Sequence, residues 1–266
     1  AAGGWWFPGG GWVDPASLCR ANLARHSAAV RPHYRRQVER IAYQEGCWRS
    51  FDAAGEMIAA APVLVLANAG DARRFAAASH LPLRTARGQV SHLPATTGTA
   101  PDIVVCRLGY VTPAIDGLRC AGATFAVDDD EPGLRAADHA ENLARLEFIL
   151  PGYSRHIDAG QLGGRVGFRP LSPDRLPIIG AVADAATIDA GGPAATLAGL
   201  RRVPGLFVIN GFGARGIVWS ALAGELLACL VDGCPPPLAA DLVAAVDPGR
   251  FLLRGRQQRG AAGIQR

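Results

Sequence analysis

The chain has 266 residues and a mass of 27.7 kDa, room for one large domain or two modest ones with a substantial core. Apolar residues make up 49% and charged residues 19%, which excludes a disordered chain. Its 27 basic residues are all arginine and face 23 acids, a weak positive balance that admits an anionic partner without demanding one. Residues 3–13 (G-G-W-W-F-P-G-G-G-W-V) read as a strand and a glycine-rich turn. Asp14-Pro15 then starts a helix, Asp as N-cap and Pro at the first helical position, expected to run to Ala29. Alternation from Val38 to Met57 predicts short strands, and 63–67 (V-L-V-L-A) is a strand buried on both faces. A short helix is expected over 71–78.

From Arg84 to Phe125 close-spaced turn signals separate four short strands, the pattern of an antiparallel sheet. The acidic run 128–131 reads as a solvated loop, and 136–150 as a helix closed by Pro151-Gly152. Residues 184–198 read as a surface insertion, and 206–209 as a second buried strand. A glycine loop follows, then a helix over 217–231, apolar almost all round and expected to be buried. The tail from Arg254 on carries four arginines (254, 256, 259 and 266) and reads as disordered over 255–266, with contact to phosphates as the alternative.

No uninterrupted apolar run reaches the ~18 residues of a membrane span, which argues against one. No basic-then-apolar leader opens the chain. It starts at Ala1 and its only methionine is Met57, as expected of a processed product or a piece of a longer one. Six widely spaced cysteines predict buried, reduced thiols in a cytoplasmic protein. No ligand spacing predicts a metal site.

Two constellations carry chemistry. Gly211-Phe-Gly213-Ala-Arg-Gly216 satisfies G-x-G-x-x-G between a strand and a helix. No acid ends a following strand, so it does not read as a dinucleotide fingerprint. What remains is a set of N–H groups at a helix N-terminus aimed at an anionic or electron-rich group, or else a turn needed only for packing. In 167–180 (G-F-R-P-L-S-P-D-R-L-P-I-I-G), Arg169 is expensive to bury alone. It reads either as a structural ion pair, with Asp174, or as a two-pronged carboxylate clamp.

These motifs, with G-W-V-D-P at 11–15 and V-L-V-L-A-N-A-G at 63–70, resemble the D-amino-acid oxidase/glycine oxidase superfamily of FAD enzymes. R-G-Q-V-S-H-L-P at 87–94, the Gly213–Gly216 loop and D-P-G-R-F-L-L-R at 247–254 are similar to the FAD half of bifunctional tRNA wobble-uridine modification enzymes. The resemblance implies an α/β plus α+β architecture, a D-amino-acid-oxidase-like FAD-binding fold with an inserted antiparallel substrate domain. The family's opening strand–GxGxxG–helix unit does not appear in this sequence. The expected arrangement is therefore an FAD-binding remainder (14–80 and 160–254), a substrate domain (1–13 and 81–159) and a tail, with weak FAD binding by this chain alone.

By resemblance, the backbone of Val38 meets the adenine, and Ala67, Asn68 and Gly70 pass the FAD. Gly213, Ala214, Arg215, Gly216 and Ile217 lie under the flavin ring. Arg169 holds a substrate carboxylate, and Tyr110 points into the same pocket. The implied reaction removes the carboxymethyl group from 5-carboxymethylaminomethyl(-2-thio)uridine in tRNA, with hydride passing to FAD and no side-chain base required. The implied partners are tRNA and a methyltransferase domain, with no membrane and no metal. Two alternatives are a glycine- or sarcosine-type oxidase and a catalytically silent fragment that binds tRNA weakly.

Overall fold

A computed structural model describes residues 3–95, 102–186 and 196–254. They form two compact units, Ala1–Ser27 with Thr85–Phe168 and Ala28–Arg84 with Arg169–Arg266. Helix α1 (Pro15–Arg25) begins as its sequence dictates, with the Asp14 carboxylate accepting from Ser17 N–H at 2.6 Å. It stops short of Ala29 and groups with the antiparallel unit, not with the 14–80 segment. None of its residues is buried. Among the described residues the expected strand within 3–13 does not form: that backbone has no partner strand, and Trp5, Trp6 and Phe7 are exposed.

In the second unit, β1 (Arg40–Gln44), β2 (Cys47–Phe51) and β3 (Met57–Ala61) form an antiparallel meander. Strand β4 (Leu64–Leu66) is shorter than expected and is not buried on both faces, since Val65 is exposed. The helix expected over 71–78 is two 3-10 turns, Ala69–Arg74 and Ala76–Ala78.

The first unit is built on β5 (Arg84–Pro94), β6 (Val105–Cys106), β7 (Tyr110–Val111), β8 (Leu118–Gly122), β9 (Ala126–Val127) and β10 (Gly164–Leu171). Their order is β10-β5-β8-β7-β6, with β9 also pairing β5. Helix α2 (Ala136–Ile149) covers one face, where Leu143, Leu146 and Ile149 pack with Leu93, Val111 and Ala121. The same face of β5 continues, two residues at a time, through Ser91, Gln89 and Arg87. There the core turns polar. Arg87, 1% exposed, pairs with Asp138 and donates to the carbonyls of Glu131 and Gly133. Gln89 exchanges both amide bonds with the Arg135 backbone at 2.9 Å. Ser91 Oγ bonds His139 Nδ1 at 2.8 Å, and Asn142 donates to Ser91. The acidic run is therefore not simply solvated: Asp129 grips Arg135, and the Glu131 carbonyl caps a buried guanidinium.

The second unit is completed by β11 (Ile178–Ala183), β12 (Arg202–Asn210), α3 (Gly216–Asp232) and α4 (Ala240–Val246). β12 lies between β11, antiparallel to it, and β4, parallel to it. Helix α3 is not buried all round. Ala223, Leu226 and Leu227 pack on Ile179, Phe207 and Ile209, whereas Ile217 is exposed and Val218 is 84% exposed. By length and composition alone Gly213–Asp232 could cross a membrane. Counting unbroken apolar runs misses it because Glu225 interrupts the stretch. All six cysteines are free, and none is buried as expected: Cys19, Cys106 and Cys234 are exposed, the others half-buried. The insertion at 184–198 lies largely, and the tail 255–266 wholly, outside the described residues.

Candidate functional site

Parallel strands end on the same side of their sheet, so β4 and β12 deliver two loops together. After β4 come Ala67, Asn68, Ala69 and Gly70; after β12 come Gly211 to Gly216. Asn210 Nδ2 donates to the Ala69 carbonyl at 2.7 Å and joins the loops, while its Oδ1 accepts from Gly211 N–H at 2.8 Å. Ala69 adopts φ 53°, a strained value for a residue with a Cβ, which that bond helps to hold.

The glycine loop is shaped by contacts that only glycine permits. Gly213 has φ 56°, and a Cβ there would stand 2.9 Å from Leu171 Cδ2. Leu171 also bridges Phe212, so the end of β10 lies against the loop. No side chain caps the N-terminus of α3, which follows directly. The 3-10 turn Gly213–Arg215 runs straight into it, so the positive end of the helix dipole begins at the glycine loop. Arg215 reaches away to donate to the Arg175 carbonyl.

Arg169 sits half-buried on β10, two residues before Leu171. Asp174, its expected ion-pair partner, is gripped by another arginine: Arg250 Nε and Nη2 meet its carboxylate at 2.9 and 3.0 Å, and Arg254 Nη1 at 2.7 Å. Burial pushes the Asp174 carboxyl up, but the bonds from Arg250 and Arg254 outweigh it and hold it well below the usual carboxylate range. Arg202 clasps Asp247 through two bonds of 2.9 and 3.0 Å. The closing segment 247–254 is therefore a structural clasp, and Arg254 belongs to it.

The second unit thus brings together Ala67, Asn68, Gly70, Gly213, Ala214, Arg215, Gly216, Ile217 and the strand end bearing Arg169. Val38 lies in the same unit just before β1 and packs on the core around Leu66, Ala72 and Phe75. Tyr110 belongs to the other unit, on β7 directly opposite Gly122. Sequence reasoning missed Asn210 and Leu171, although an Asn closing an apolar strand before Gly211 is a readable sign of a loop tie. No cluster that could hold a metal ion occurs among the described residues.

The FAD dependent oxidoreductase family matches residues 1–230. The chain is 56% identical over 242 residues to the tRNA 5-methylaminomethyl-2-thiouridine biosynthesis bifunctional protein MnmC of Aromatoleum aromaticum, covering 91% of this chain and 38% of that protein. The protein of the same name from Azoarcus sp. is 53% identical over 252 residues, covering 95% of this chain and 39% of its own length. The chain therefore spans less than half the length of these relatives. In fold it resembles glycine oxidase from Geobacillus kaustophilus, with TM-score 0.66 and 22% identity over 89% of this chain and 58% of that one. L-proline dehydrogenase from P. horikoshii gives TM-score 0.63 at 18% identity, over 90% of this chain and 59% of the other. The fold is thus D-amino-acid-oxidase-like, as expected.

Proposed function

The chain belongs to the family of FAD dependent oxidoreductases, and from that premise we propose that it oxidises the carboxymethylaminomethyl group of a tRNA wobble uridine to the aminomethyl form. The observation that carries this reading is the meeting of β10, which bears Arg169, with the glycine loop at the uncapped N-terminus of α3. The relatives named for 5-methylaminomethyl-2-thiouridine biosynthesis supply the substrate class. FAD fits this site: Gly213 has φ 56° and no room for a Cβ against Leu171, and the uncapped helix N-terminus that follows would face the electron-rich edge of the flavin.

FAD, when bound, supplies the two-electron acceptor for the N-substituted glycine, whose imine product water splits into the aminomethyl nucleoside and glyoxylate. The chain's own residues bind and orient. Ala67, Asn68 and Gly70 would border the cofactor, Gly213 to Ile217 would hold its ring, and the Val38 backbone would meet its adenine. Arg169 forks onto the substrate carboxylate and so fixes the glycine methylene. Tyr110 lines the substrate side. tRNA is the partner, a methyltransferase domain the companion activity, and the cytoplasm the setting.

The test is Arg169→Lys in a longer form of the protein that also carries the opening strand–GxGxxG–helix unit and is loaded with FAD, because this chain alone is expected to bind FAD weakly. Lys keeps the charge and loses the planar fork. A carboxylate left poorly paired costs roughly 2–5 kcal/mol, or about 30- to 5000-fold in kcat/KM on carboxymethylaminomethyl-tRNA. Flavin content should not change. An unaltered rate places the carboxylate elsewhere, and loss of flavin makes Arg169 a structural residue. Faster oxidation of free glycine or sarcosine than of modified tRNA would replace the reading with that of a small amine oxidase.

A further inference from the structure

Helix α3 ends in a turn that brings two cysteines together. Gly233 takes a left-handed conformation, φ 71° and ψ 20°, and its N–H bonds the Cys229 carbonyl. Cys234 N–H donates to the same carbonyl at 2.9 Å. A helix that closes on a left-handed glycine folds the residue after the glycine back onto the residue four before it. Side chains at those two positions pack on one another as a rule. In this chain both are cysteine. Pro235 follows and restricts Cys234 to extended backbone, so the turn is held from both sides.

With standard backbone dimensions, the 2.9 Å bond between the two residues keeps their Cα atoms within about 6.8 Å. A disulfide spans roughly 4.4–6.8 Å between Cα atoms, so this pair can close without moving the helix. Cys106 and Cys120 cannot do the same: they lie on β6 and β8 with β7 between them, at least about 9 Å apart. Exposure divides the roles within the pair. Cys234 is exposed and Cys229 half-buried, the layout of an attacking thiol beside a resolving one. The glycine loop lies at the opposite end of this 17-residue helix, about 25 Å away, so the pair stands apart from the candidate flavin site.

We propose that Cys229 and Cys234 are a redox-responsive thiol pair, a modification site that a small disulfide of the glutathione class converts to an intramolecular disulfide. The Cys234 thiolate attacks one sulfur of glutathione disulfide; that S–S bond breaks, a glutathione thiolate leaves, and a mixed disulfide forms on Cys234. The Cys229 thiolate then attacks the Cys234 sulfur and expels the second glutathione thiolate. The two leaving thiolates take up the two protons that the cysteines release. Two electrons pass to glutathione disulfide, which ends as two thiols. The new bond fastens the start of the Pro235–Pro237 stretch to the end of α3. In a reducing compartment such a bond is transient and responds to the thiol pool. The inference is independent of the flavin and tRNA readings.

The experiment equilibrates the whole chain with reduced and oxidised glutathione at a series of ratios, blocks remaining thiols by alkylation and digests with trypsin. The chain has no lysine, so cleavage falls at arginine alone, and fragment 216–250 holds Cys229 and Cys234 with no other cysteine. As the ratio turns oxidising, that fragment should lose two hydrogens and take up no alkyl group. Cys229→Ser should instead retain glutathione on Cys234, because nothing resolves the mixed disulfide. Gly233→Ala should lower the ratio of disulfide to dithiol in the fragment about five- to thirtyfold, the cost of left-handed backbone to a residue with a Cβ. Wild-type protein that carries glutathione on both cysteines, or stays alkylated at both across every ratio, would overturn the proposal. So would a bond from fragment 216–250 to any other cysteine. An unchanged ratio in Gly233→Ala would overturn the role of the turn. Circular dichroism of both variants checks that the fold is retained.

Discussion

The two units place their arginines differently. In the first unit a guanidinium lies inside the core: Arg87 is closed in by Asp138, two carbonyls and Gln89. In the second unit the cores are apolar, built on Leu66, Phe75, Ile178 and Leu206 and on Ile179, Leu226 and Leu227. Its arginines make salt bridges around those cores, where buried Arg250 in the closing segment holds Asp174 and half-buried Arg202 on β12 holds Asp247 of that segment. In a chain without lysine, a structural arginine is recognised by the partners that it keeps within the fold. Polar contacts specify the first unit's core, whereas apolar area drives the second's.

That contrast is broken most directly at Arg87. Arg87→Met replaces the guanidinium with an apolar side chain of comparable length and strands Asp138 and two carbonyls. Breaking a buried pair from one side costs about 3–5 kcal/mol. Urea unfolding should show this as a lowered midpoint with an unchanged slope. A loss under about 1 kcal/mol would mean the network is incidental to the unit's stability.

Asp174→Asn probes the other unit and should cost less, about 2 kcal/mol for hydrogen bonds to a charged group. Arg250 is only 4% exposed, but it keeps the carbonyls of Val246, Asp247 and Leu176. The pH dependence has a definite sign. A carboxyl held below its unfolded value contributes stability above about pH 4, and loses it as the pH falls toward the folded value. Wild-type stability should therefore decline in acid, and Asp174→Asn should flatten that decline. An identical acid profile in the two proteins would remove Asp174 from the clasp.

The same partner rule explains what the sequence could and could not reveal. The meander over 84–125, helix 136–149 and the strand–glycine loop–helix at 202–232 follow from periodicity and turn chemistry, which are local. Asp174 was visible as a carboxylate near Arg169, and that nearness in sequence pointed to the wrong partner. Its actual partners lie 76 and 80 residues away, a distance over which no spacing rule operates. The exposed side of α3 was illegible for a related reason: composition reports how apolar a helix is, and not how much of it a neighbour covers. The glycine loop and Arg169 were legible as candidates for chemistry, because closely spaced glycines before a helix and a cation in an apolar stretch each have few uses. The tie through Asn210 and Ala69 depends on the parallel register of β4 and β12, which pairs strands separated by the whole first unit's β-sheet.

His139 gives the smallest and most selective test. It lies inside the first unit, 3% exposed, with Nδ1 on Ser91 and Nε2 without a partner among the described residues. Burial lowers its pKa, a nearby Asp138 opposes that shift, and His92 adds to it. The folded protein therefore holds the imidazole neutral at a pH where the unfolded chain has begun to bind a proton. Stability from this residue is present above the unfolded value of about 6.5 and is lost as the pH falls through the lower folded value. His139→Gln retains a group that can bond Ser91 and removes the titration. Between pH 7 and 5 its stability should change less than that of the wild type, and the difference should persist in the Asp174→Asn background, because the two sites lie in different units and share no partner. A wild-type profile that is flat from pH 7 to 5 would mean that the ring reaches water, and that the network around Ser91 is looser than the bonds to Gln89 and Asn142 describe.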